Sequence, residues 1–126
     1  MPVVRGREAR EFEVQEGYVI TALLSPSTGA REIMAWRARS EPGHSNPLHR
    51  HDREEAVLVT AGSLQATVGG EQFAAQAGDA FVIPANTSHQ VEAQGDRPCE
   101  IIVAMPVGTR FFYDDGRERP NPPWTQ

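Results

Sequence analysis

A single cysteine, Cys99, stands among 126 residues, so no disulfide can form within the chain. Its setting, Cys99-Glu100-Ile101-Ile102-Val103, reads as a small buried hydrophobe rather than a reactive thiol. Long apolar stretches are missing as well. The longest, Ile101 to Val107, contains Pro106 and is far too short to cross a bilayer. Met1 to Phe12 is charged and has no apolar core segment, so no signal peptide is expected and a cytoplasmic location is. Positive charge is not in excess either: 12 Lys and Arg against 17 Asp and Glu leave a net −5. Such a surface repels phosphate backbones and anionic lipid, which excludes nucleic acid and membrane as partners and favours a small molecule or another protein. Finally, nothing between Pro42 and Met105 sustains a helical period, so helices that read DNA are excluded too.

What is present is strand chemistry in short pieces. Tyr18 to Leu24 and Glu32 to Arg39 are rich in β-branched and aromatic residues and are separated by Ser25-Pro26-Ser27-Thr28-Gly29. Ala56 to Thr60 and Leu64 to Val68 flank Ala61-Gly62-Ser63 as a hairpin, and Gly69-Gly70 turns the chain into Glu71 to Ala75. Ala80 to Ile83, Ser88 to Ala93 and Cys99 to Ala104 complete the series, divided by Ala77-Gly78-Asp79, Pro84-Ala85-Asn86 and Gly95-Asp96-Arg97-Pro98. With the histidine-bearing segment these make about nine strands, the pattern of an all-β antiparallel sandwich or barrel. One domain is expected over 1–126, with a core barrel at about 17–113. Gly6 to Phe12 is expected to make a turn of helix. Beyond the turn Asp114-Asp115-Gly116, the segment Pro120-Asn121-Pro122-Pro123 cannot hold regular structure, so a surface tail over 114–126 is expected, anchored by Trp124 on its own barrel or on a partner.

Three of the four histidines fall into one pattern. His49 and His51 are two apart, and the strand period of 2 places both side chains on one face. Glu55 follows across a bend at Asp52-Arg53, and His89 opens a later strand. Two imidazoles from one strand, a carboxylate from the next and a third imidazole from across a barrel can surround one cation. Mixed nitrogen and oxygen ligands of this kind suit iron, manganese, nickel, copper or zinc.

Turn residues frame these four. The chain reads Gly43, five residues, His49-Arg50-His51, three residues, Glu55, six residues, Gly62. It then reads Gly78, five residues, Pro84-Ala85-Asn86, two residues, His89, three residues, Ala93. These segments resemble the two motifs of the cupin superfamily. The first matches throughout. In the second, Asn86 stands where the family has a turn glycine and Ala93 where it has an asparagine that is not a ligand. Asparagine tolerates the left-handed backbone best after glycine, so that exchange is compatible with the same turn. The resemblance covers Gly43 to Ala93. It implies a double-stranded β-helix (a jelly-roll barrel), one divalent metal held by His49, His51, Glu55 and His89, and often a homodimer.

Other residues offer alternatives. His44 is either an exposed loop histidine or an acid–base group at a pocket mouth. Trp36 and Arg37 alternate on one strand, so one faces inward: Arg37 to bind a carboxylate or phosphate, or Trp36 to line an apolar pocket. Gln65 and Thr67 share a face that points to the cavity or to solvent. Phe73, Phe81, Phe111 and Phe112 read as core or interface. Four protein ligands leave a coordination position open, as a catalytic metal requires. Three functions follow: a dioxygenase acting on a small organic molecule, which is favoured; a non-redox isomerase, lyase or cyclase; and a ligand-binding protein without turnover. Glu55 is the carboxylate placed to act as base in either enzyme.

Overall fold

The computed structural model describes residues 2–126. Two six-stranded antiparallel sheets pack face to face. The first contains β1 (Glu11–Gln15), β2 (Tyr18–Leu24), β3 (Ile33–Ser40), β5 (Glu55–Ala61), β8 (Ala80–Ile83) and β10 (Cys99–Pro106), in the order β1-β2-β3-β10-β5-β8. The second contains β4 (His49–His51), β6 (Ser63–Val68), β7 (Glu71–Gln76), β9 (His89–Gln94), β11 (Phe111–Tyr113) and β12 (Glu118–Arg119), in the order β12-β11-β4-β9-β6-β7. From β4 to β9 consecutive strands change sheet after β4, β5, β7 and β8, which is the winding expected of a jelly roll. Among the described residues no helix is long and apolar enough to cross a membrane.

Alternation decides which residues enter the core. In β6, Leu64 and Ala66 are fully buried, so the opposite face carries Gln65 to solvent. In β3, Met34, Trp36 and Ala38 are buried. They pack with Ile20, Val103, Met105, Phe111 and Trp124 in one cluster, while Val59, Leu64, Ala66, Ala75, Ala93 and Cys99 form a second. Side chains such as Ile20, Met34 and Leu64 stabilise the sandwich by roughly 1.5–3 kcal/mol each on burial. Cys99 is therefore a buried hydrophobe, as expected.

Both ends depart from expectation. Gly6–Glu8 makes a single 3-10 turn, and the chain then enters β1 rather than extending a helix to Phe12. The alternation of Glu11-Phe12-Glu13-Val14-Gln15 suits an edge strand that pairs with β2 on one side only. At the other end, β11 and β12 form a hairpin across the turn Asp114-Asp115-Gly116, and β12 becomes the outer strand of the second sheet. The prolines after it do exclude a ladder. They nevertheless lead into a 3-10 turn, Pro123–Thr125, that buries Trp124 against Phe12 and Trp36 at ring separations of 6.1 and 6.3 Å. Trp124 thus anchors the tail on its own barrel. The strands number 12, against about nine expected, because β1, β11 and β12 lacked a recognised period.

Two turns carry backbone that the sequence anticipated. Asn86 is the one non-glycine residue with positive φ among the described residues, at 59°, and its N–H donates to the His51 carbonyl at 2.7 Å. Gly62 has φ 71°, and a Cβ there would lie 2.4 Å from the Pro98 carbonyl oxygen. Gly62→Ala is therefore expected to destabilise the fold by about 2 kcal/mol or more, from left-handed strain plus the clash. Gly70→Ala, at φ 84° with open space around it, should cost only the strain, about 1 kcal/mol. Denaturant titration of both variants checks this, and equal losses would contradict the close approach at Gly62.

Candidate metal centre

Cross-strand register assembles the histidines. His49 on β4 lies directly opposite His89 on β9, and opposed residues in an antiparallel pair share a face. His51, two residues on, points the same way. The imidazole centroids are 4.2 Å (His49–His89), 4.8 Å (His51–His89) and 5.0 Å (His49–His51) apart. One nitrogen from each ring falls within 4.8 Å of the others, as ligands of one ion must. Glu55 arrives from the facing sheet: the short bend after His51 carries the chain from β4 to the start of β5. Its Oε2 lies 3.4 Å from His89 Nε2.

The surroundings fix these rings. His49 Nδ1–H donates to the Pro47 carbonyl at 2.8 Å and His89 Nδ1–H to the Thr87 carbonyl at 2.9 Å. A carbonyl can only accept, so each bond places the proton on Nδ1 and leaves the Nε2 lone pair free. The loop before β4 is zipped onto β9: Gly43 N–H donates to the Ala93 carbonyl, Ala93 N–H to the His44 carbonyl, and Val91 N–H to Asn46 Oδ1. At position 93 the hydrogen bonding is thus made by backbone, and the alanine methyl packs in the core.

Desolvation dominates the electrostatics. Burial holds His51 down at about 2 and His49 at about 4, with the neighbouring histidines and Arg119 adding to it. His89 is lowered by burial, and Glu55 is pushed up to about 8 by the same cause. In the metal-free protein the contact between His89 and Glu55 therefore joins two neutral groups and is no ion pair. Both nitrogens of His51 and Nε2 of His89 are buried without a hydrogen-bond partner. Three converging neutral imidazoles, two of them with buried unpartnered nitrogens, and an adjacent carboxyl fit a divalent transition metal, which would satisfy what the protein leaves unsatisfied. The remaining unpartnered atom is the Trp124 indole N–H, whose ring packs against Phe12 and Trp36.

A cavity of about 250 Å³ opens onto this group, with Tyr18, Trp36, Val57, Ile101, Val103 and Phe111 in its walls. Trp36 is the inward member of its pair, and Arg37 is not in the lining. The inward option for Arg37 is corrected, because Trp36 and Ala38 occupy the buried face of β3. Gln65 is likewise outside the cavity, displaced to the outer face by Leu64 and Ala66. His44 does line the mouth: its ring stacks on Tyr18 at 4.6 Å and its Nε2 meets Gln15 Oε1 at 3.0 Å. Phe111 packs on the His51 ring at 4.5 Å, whereas Phe112 lies under Arg50 and Arg110. Phe73 and Phe81 pack edge to face, partly exposed, away from the site. Sequence reasoning missed Tyr18, Tyr113, Arg119 and Trp124 as lining residues. The inward alternation of Phe111 and Tyr113 was a usable signal, whereas a two-residue strand such as β12 offered none.

Residues 36–105 match the cupin domain family. Auxin-binding protein 1 of Arabidopsis thaliana is 32% identical over 98 residues, which is 69% of this chain and 50% of that protein. Quercetin 2,3-dioxygenase of Bacillus subtilis is 41% identical over 72 residues, 56% of this chain and 21% of that protein. The chain spans about half the length of the auxin-binding relatives it matches. Among solved structures, the polyketide cyclase RemF of Streptomyces resistomycificus superposes with a TM-score of 0.77 at 21% identity, over 86% of this chain and 81% of that one. At that identity the likeness shows a shared fold.

The titration pattern has a measurable consequence. Histidines with lowered pKa stabilise the metal-free fold above their ordinary 6.5, and this is lost as pH falls toward about 4 for His49. Glu55, with a raised pKa, stabilises the fold below its ordinary 4.5, and this is lost as pH rises to about 8. Several histidines outweigh one glutamate below 6.5, so metal-free stability should peak near pH 6.5. Metal binding at pH 7 should release about one proton, from Glu55. Calorimetry in buffers of different ionisation enthalpy checks this, and no proton release would contradict the raised pKa of Glu55.

Proposed function

The chain belongs to the cupin family, and on that premise we propose that it is a metal-dependent dioxygenase acting on a small, largely apolar organic molecule. The observation that carries this reading is the ligand group at the inner end of an apolar, aromatic cavity. His49, His51, His89 and Glu55 would hold the ion. Bound there, a divalent transition metal supplies Lewis acidity and, if it is iron, electrons for reaction with dioxygen.

The chain's own residues do the rest. Trp36, Tyr18 and Phe111 provide flat walls that orient a ring and keep water from the site. Glu55, raised to about 8, is the carboxyl placed to take or hold a proton beside His89. Besides Glu55 and the histidine ligands, His44, Tyr18 and Tyr113 line the cavity and can hold a proton. The 41% identity to quercetin 2,3-dioxygenase supports oxidative chemistry.

A non-redox isomerase, lyase or cyclase is the second reading. It is favoured by the loose contact of Glu55, which leaves that carboxylate free to act as base. A binding role without turnover is supported by the relatives named for binding auxin. The outward apolar residues Ile33, Leu58 and Val82 on the first sheet suit the contact of a homodimer.

Oxygen-electrode measurements on the Fe(II)-loaded protein with small enolic and catecholic aromatics distinguish these readings. Uptake that requires both iron and substrate, and a product that forms only in air, is the expected outcome. Product formation at the same rate under nitrogen moves the assignment to the non-redox class.

A further inference from the structure

Nothing local in the chain marks Arg119, in a two-residue strand of the tail, as a cation of the cavity. It is half-buried, it lines the cavity, and β12 places it directly opposite Phe111. Phe111 is in turn directly opposite His51. Arg119, Phe111 and His51 therefore form one row on the inner face of three neighbouring strands. Two strand spacings put the backbones of Arg119 and His51 on the order of 10 Å apart. Phe111 stands between them in the row, its ring packed on His51 at 4.5 Å and tilted by 57°.

Its neighbours are already spoken for. Arg110 pairs with Glu118, and Arg117 with Asp115. Among the described residues no carboxylate lies within ion-pair distance of Arg119 and no side-chain hydrogen bond engages it. Apart from the histidines, Arg119 and Glu55 are the only charge-bearing side chains in the lining, and Glu55 lies with the ligands. A half-buried guanidinium on a cavity wall with no protein counter-ion is open to an anionic ligand. Its planar fork fits a carboxylate through two parallel N–H···O bonds.

We propose that Arg119 anchors the carboxylate of the substrate, so that the substrate is a small aromatic or similarly apolar acid held with its ring over Phe111. The role that Arg37 offered in the sequence is thus filled from the tail. The proposal rests on the cavity being the substrate site; it does not depend on which reaction follows. It also gives the C-terminal segment a purpose, because Trp124 fastens that segment and β12 carries the arginine.

The two tryptophans of the chain, Trp36 and Trp124, both line the cavity and report its occupancy by fluorescence. The full-length, metal-loaded protein is titrated with benzoate and phenylacetate, and with the matching neutral amides benzamide and phenylacetamide. The acids should bind at least about ten-fold more tightly than the amides, as expected for a charge-assisted contact. In Arg119→Gln that preference should shrink to about three-fold or less while amide binding stays unchanged; Arg119→Lys should restore part of it. An intact preference in Arg119→Gln would assign acid selection to the metal and overturn the proposal. Equal weakening of acids and amides would show a merely structural role and overturn it too, as would acids that give no saturable signal. These outcomes are read from binding, so a failure to consume oxygen leaves them independent.

Discussion

Everything in this molecule is arranged around imidazole nitrogens kept from water and given nothing to bond. His51 has neither ring nitrogen partnered, and His89 lacks a partner at Nε2. A buried polar group left unsatisfied costs roughly 1–3 kcal/mol. One isolated case of this kind is a defect. Three rings converging on a single point, two of them locked into the tautomer that exposes Nε2, form a group fit to hold a cation. The apolar walls deepen the cost, and they are also what keeps the histidines neutral and ready to ligate.

The fold follows from holding that point in place. The histidines stand on the second sheet and Glu55 on the first, so the contact of Glu55 with His89 crosses between the two layers. The turns that allow this are the demanding ones. Gly62 lets β5 return to β6 against the Pro98 backbone, and Asn86 bends the approach to β9 while bonding to the His51 carbonyl. Both termini contribute to the cavity wall: Val14 and Gln15 from β1, and Tyr113, Arg119 and Trp124 from the C-terminal segment, with Phe12 packed on Trp124.

The four candidate ligands were legible in the sequence because strand period and turn chemistry are local. His49 and His51 share a face by counting, and glycine, proline and asparagine mark turns by their backbone preferences. The same locality explains what was missed. Arg119 belongs to a two-residue strand in a proline-rich tail, and only the pairing of that strand with Phe111 reveals that it faces inward. The expected helical turn, Gly6 to Phe12, overlapped only the first two residues of β1, and the charged, short strand is revealed by its pairing with β2. Whether Trp36 or Arg37 faced in was undecidable from alternation alone. The packing of Trp36 with Met34 and Ala38 decides it.

The central claim is that these buried nitrogens belong to a metal site, and the metal content of the protein tests it most directly. The chain is purified without any chelating step and assayed by mass spectrometry for transition metals, alongside His51→Ala. The expected result is about one divalent ion per chain in the wild type, with the variant weakened by more than the 10- to 100-fold typical of groups that merely orient a ligand. Metal well below one per chain, not restored by adding divalent ions, would contradict it.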